Sequence, residues 1–133
     1  MFLIIFIILT CIKACTCFRA YDVAIKKDWQ VAYIMEQSRF EEVRKAHMKT
    51  LKLYVPVVER VHGAHHPEFH EVRQLFDSMA AKISAGGRKR PELAAEFQRL
   101  REVTHNYQVP GDVCESYEAV YTMLSALDQA WHA

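Results

Sequence analysis

A chain of 133 residues, 51% hydrophobic, has the material for one sizeable core, and with only four glycines and four prolines it reads as helical. Its net charge of +1, with acids and bases interspersed, excludes the basic footprint of a nucleic-acid-binding protein. No Gly/Ser-rich or Pro-rich linker and no internal repeat divides it.

The first residues, MFLIIFIILTCI, differ in composition from everything after them. The apolar run is shorter than the roughly 20 residues needed to span a bilayer. It has the length of a signal-peptide core, yet no Lys or Arg precedes it. Residues 1–20 are therefore read as a separate apolar segment, a weak signal or anchor or a docking tail, and residues 21–133 as the folded domain. Membrane contact through residues 2–12 is one expectation. Cysteines 11, 15 and 17 cluster here, far from Cys114, and make neither a disulfide framework nor a closed four-ligand zinc set.

Apolar residues then recur at helical spacing. A first helix is predicted from Trp29, with a stripe of Ile34, Phe40, Val43, His47, Tyr54, Val57 and Val61 and a stop at Gly63. Pro56 is expected to kink it or shift its boundary. The second helix begins near Pro67, with His66 near its N-cap, and buries Phe69, Val72, Phe76, Met79 and Ile83 before Gly86-Gly87. Arg88-Lys89-Arg90 reads as a solvated turn. A third helix opens at Pro91 and buries Leu93, Phe97, Leu100, Val103 and Tyr107. Asp112 and Glu115 suggest a capping box for a fourth, whose stripe is Val113, Tyr117, Val120, Leu124, Leu127 and Trp131. Short connections make neighbours antiparallel, giving an all-α, up-and-down four-helix bundle.

Four of the seven histidines, His62, His65, His66 and His70, crowd one connection. His66 and His70, four apart, could place two imidazoles on one metal, and His62 could add a third. Histidines at helix ends also cap carbonyls, so a structural reading stands beside the metal one. His47 falls on the apolar stripe of the first helix, with Glu41 and Glu42 one turn back. No constellation for acid–base or nucleophilic catalysis is visible.

Two segments, "EQSRFEEVRKAHMKTLKLYVPVVERVHGAHHPEFHEVRQLFDSM" and "LREVTHNYQVPGDVCESYEAVYTMLSALDQAWH", together resemble the hemerythrin-like di-iron proteins that repair iron–sulfur clusters damaged by nitrosative or oxidative stress. Val61-His62-Gly63 followed by His66-Pro67-Glu68 matches that family's first interhelical connection. Leu100, Thr104, Tyr107, Pro110 and Cys114 match its later Leu…Thr…Tyr…Pro…Cys pattern. The resemblance covers roughly residues 28–133. It implies a four-helix bundle, two irons held by histidines and bridging glutamates from all four helices, iron–sulfur proteins as partners and a cytoplasmic location; export or membrane association through the N-terminal segment is the alternative.

The ligand groups that the resemblance implies are not intact here. Phe40-Glu41 stands where the family has Tyr-His, and Lys89-Arg90 lies near its Glu-His. Its two His-x-x-x-Glu groups have no counterpart. Only Glu41 matches a ligand position, so the candidate metal ligands are Glu41, His47, His62, His66 and His70, and the role of Cys114 is open. The expectation is a divergent relative, shortened at the iron-holding end, with di-iron binding weak or lost; a non-metal helical interaction module is the alternative. Exposed apolar residues on the overhanging first helix, Trp29, Val31, Tyr33, Ile34 and Phe40, predict self-association.

Overall fold

The computed structural model describes residues 30–32, 34, 35, 37, 39–87 and 89–133. The readings placed on residues 1–20, and on Trp29 and Tyr33, lie outside the described residues. The chain divides into two compact units, Met1–Glu36 and Gln37–Ala133. In the first, residues 30–32 and 34–35 are helical, and Val31, Ile34 and Met35 are exposed.

The second unit is an all-α bundle of α1 (residues 39–62), α2 (Glu68–Gly86), α3 (Ala94–Val103) and α4 (Glu115–His132). Among the described residues there is no strand. The helix ends show the antiparallel order. The end of α1 meets the starts of α2 and α4 through His62, His66, Cys114 and Tyr117. At the opposite end, Lys82 of α2 donates to Glu92 O just before α3. There too the Trp131 indole N–H of α4 donates to Pro91 O at 3.0 Å. Arg90 is no solvated turn residue: its guanidinium lies 4.7 Å from the centre of the Trp131 ring and donates to Trp131 O.

The stripe predicted for α2 is the stripe that is buried, Phe69, Val72, Phe76, Met79 and Ile83. α4 is the most enclosed helix, burying Tyr117, Val120, Tyr121, Met123, Leu124, Leu127, Asp128 and Ala130. α1 is rotated from expectation. It runs through Pro56 without a change of boundary and buries Phe40, Leu51, Val55 and Val58. Tyr54, Val57 and Val61 face outward instead, and Phe40, expected on an exposed overhang, is 2% exposed. At 3.6 residues per turn, two apolar stripes about a third of a turn apart compete on this helix. Contact with the other helices selects one of them.

α3 is shorter than the spacing predicts, for a local reason. His105, Asn106 and Tyr107 all have positive φ, at 48°, 60° and 61°, a conformation costly for residues with a Cβ. Thr104, which is buried, holds the turn: its hydroxyl donates to Leu100 O at 2.6 Å and accepts from Tyr107 N at 2.8 Å. Asn106 N also donates to Arg101 O at 2.8 Å. Tyr107 is thereby swung from a helix stripe onto α4, where its hydroxyl donates to Asp128 at 2.9 Å. The buried Asp128 carboxylate further accepts from Arg101 Nη1 at 2.8 and 2.9 Å and pairs with His132 Nδ1 at 2.8 Å. Burial and the Asp128 charge hold the Tyr107 phenol well above its ordinary range, so it stays protonated and donates to Asp128. Removing a buried carboxylate that three side chains converge on leaves Arg101 and Tyr107 without their acceptor. Asp128→Ala should therefore cost about 3 kcal/mol of unfolding free energy, read from urea denaturation.

α2 and α3 are joined by a second buried carboxylate, Glu96, which faces Lys82 Nζ at 2.6 Å and accepts from Ser78 Oγ at 3.0 Å. Burial pushes its carboxyl up, but the hydrogen bonds from Lys82 and Ser78 together with the Lys82 charge outweigh that and hold it below the usual range. Its pKa is thus lower folded than unfolded. The stability it contributes is present above the unfolded value and lost as pH falls through the folded one. The urea midpoint should decline on acidification across that window, and Glu96→Gln should flatten that part of the profile.

Candidate functional site at the histidine-rich end

The connection between α1 and α2 is built on His62, whose carbonyl accepts from both His65 N at 3.0 Å and His66 N at 2.7 Å. Gly63 is buried here for a steric reason. A Cβ on it would stand 2.5 Å from Glu59 O and 2.8 Å from the His70 ring. Without that Cβ, the His70 ring can lie across the connection and pair through Nδ1 with Glu59 at 3.0 Å. Arg73 reaches the other Glu59 oxygen at 3.4 Å.

His62 and His66 come together, with ring centres 6.1 Å apart, and both set their edges against Tyr117 of α4 at 5.5 and 5.4 Å. His62 Nε2 lies 3.1 Å from Cys114 Sγ. Cys114 holds the N-cap position of α4 without a side-chain cap bond, and it is exposed. Asp112, predicted to cap that helix, makes no cap; its carboxylate stands 3.5 Å from His66 Nε2. His66 Nδ1 bonds to Glu68 at 3.1 Å, and Glu68 also accepts from the Tyr117 hydroxyl at 3.4 Å. Tyr117 and Tyr121 share a hydrogen bond of 2.9 Å. Burial raises both phenols, and the Glu68 charge adds to the rise, so both stay protonated across the neutral range.

The candidate ligands are thus divided. His62 and His66 share the cap, each with its own partner. His70 turns to Glu59. Glu41 pairs with Arg44 one turn along α1, with Arg44 Nε 3.1 Å from its carboxylate, and His47 is half-buried farther down that helix. Among the described residues no three His, Cys, Asp or Glu side chains converge as a metal-binding group. The described side chains do not fit the two-iron group that the family resemblance implies, which needs carboxylates bridging between imidazoles from several helices. Sequence reasoning missed Tyr117 and Glu59 as partners of the histidines, and Tyr121 as the partner of Tyr117. The Tyr117–Tyr121 spacing on the α4 stripe was the available signal.

No known family profile matches the chain, and no solved structure matches it. The iron-sulfur cluster repair protein ScdA of Staphylococcus haemolyticus is 25% identical over 127 residues, covering 72% of this chain and 57% of the relative. The chain therefore spans just over half the length of that curated relative. The similarity agrees with the resemblance carried by the His62–Glu68 connection and the Leu100–Cys114 pattern.

Gly63→Ala should destabilise the bundle by about 1–3 kcal/mol, because the Glu59 carbonyl belongs to a helix backbone and cannot yield as a side chain would. Denaturation midpoints check the loss. In NMR spectra of the variant taken at one pH, the His70 ring signals should move more than those of His47.

Proposed function

We propose that this chain is a divergent relative of iron–sulfur cluster repair proteins and serves cluster repair as a helical bundle in which di-iron binding is weak or lost. The observation that carries this is the similarity to the repair protein ScdA across 72% of the chain. Supporting it, residues of the resemblance have definite work in the fold. Thr104 and Tyr107 form the left-handed turn, Gly63 admits the His70–Glu59 pair, and Cys114 meets His62. These positions keep the bundle connection and the α3–α4 return, which is a role a relative needs whether or not it carries metal.

Two readouts test the proposal. An iron–sulfur dehydratase inactivated by nitric oxide is incubated anaerobically with Fe(II), with and without this protein, and its recovery is followed. Iron bound to the protein is measured separately after anaerobic loading and desalting. Faster recovery with well under two irons per chain is the expected result. Recovery no faster than with an unrelated helical protein would refute the repair role and favour the interaction module. Two tightly held irons per chain would refute the weakened site.

The interaction-module reading is favoured by a separate feature, the exposed apolar residues of the first helical region.

A further inference from the structure

Every exposed large hydrophobic among the described residues lies between Val31 and Val61: Val31, Ile34, Met35, Leu53, Tyr54, Val57 and Val61. Within α1 the last four share one side of the helix, about a third of a turn from the buried Leu51, Val55 and Val58. α1 also concentrates positive charge, with six basic residues against three acidic over residues 39–62, in a chain whose net charge is only +1. Two of those three acids are already engaged, Glu41 by Arg44 and Glu59 by His70 and Arg73. Among the described residues no carboxylate pairs with Lys45, Lys49, Lys52 or Arg60, all of which are exposed. By helical position Lys49 and Arg60 border Leu53 along one edge of the apolar stripe, and Arg44, Lys45, Met48, Lys49 and Lys52 line a shallow depression beside it.

We propose that this side of α1 lies on an anionic lipid surface, with Leu53, Val57 and Val61 entering the headgroup boundary, Tyr54 at the interface and Lys49 and Arg60 on lipid phosphates and carboxylates. An apolar stripe edged by lysine and arginine is the pattern of a helix that lies in the plane of a membrane surface. The chain carries a second signal of the same kind. The apolar residues 2–12 are followed by Lys13, Arg19, Lys26 and Lys27 against Asp22 alone up to residue 27. One weak anchor gives marginal binding, whereas two on one chain give stable association. Spanning is a different matter: among the described residues no helix is long and apolar enough to cross a membrane. A second copy is the poorer fit, because an antiparallel pair of α1 helices brings the Lys49–Arg60 edge against its own like-charged copy. The proposal is independent of the cluster-repair reading.

Flotation of the full chain with vesicles tests it, using phosphatidylcholine alone and phosphatidylcholine with one-third phosphatidylserine. Binding should require phosphatidylserine and fall with added salt. The Lys49→Glu/Arg60→Glu variant should bind about tenfold more weakly or less. Leu53→Asp/Val57→Asp should also lose binding while keeping wild-type helicity, since both side chains are exposed. Equal binding to both vesicle types, absence of binding, or retention by either variant would overturn the proposal; the last would leave residues 2–12 as the whole anchor. A dimer in lipid-free solution that Val57→Asp dissociates would assign the face to a second copy and overturn it equally.

Discussion

Asp128 sits out of water on α4 with its charge answered by Arg101, Tyr107 and His132, and much of the chain's path follows from satisfying it. A buried carboxylate is tolerated only when its oxygens are fully engaged. Tyr107 can reach it only if α3 stops early, and α3 stops early only by placing three consecutive residues in the left-handed region. Thr104 makes that turn affordable by giving Tyr107 N an acceptor while it bonds back to Leu100 O. The chain then returns from residue 108 to Cys114, at the end of the bundle where α1 and α2 meet. Shortened α3, strained turn and Cys114 beside His62 are consequences of one arrangement.

The histidine-rich end gathers polar side chains that each have a partner of their own. His62, His66 and His70 are close in sequence, yet each is held by a different group, Cys114, Glu68 and Glu59. Ring edges against Tyr117 fix the first two in place. A metal would have to compete with hydrogen bonds already made and draw the donors onto a common point. The geometry is that of a polar cap over the core, linking three helices through aromatic contacts and carboxylate acceptors.

α1 carries two faces with different work. Leu51, Val55 and Val58 close the core, while Leu53, Tyr54, Val57 and Val61 meet solvent beside the exposed Lys49 and Arg60. In a helix of this composition the expected compromise would be polar residues on the outer side. Four exposed hydrophobic residues between positions 53 and 61 set α1 apart from α2 and α4, whose exposed positions are polar or small.

The sequence by itself determined the helical class, the connection at residues 63–67, the buried stripe of α2 and half of that of α4. These depend on spacing within one segment, and a single stripe on a helix has one way to be buried. The family resemblance was legible for the same reason, since it rests on short ordered patterns. The tertiary structure alone decided the rest. Which of α1's two stripes faced inward was set by α2 and α4, because both stripes satisfy helical periodicity. The end of α3 was set by a buried acid 21 residues beyond Tyr107, a distance over which local preference carries no information. Of the histidines' partners, Glu59 and Glu68 flank the connection itself, whereas Cys114 and Tyr117 lie far along the chain, and only packing α4 against α1 and α2 brought them to the same end.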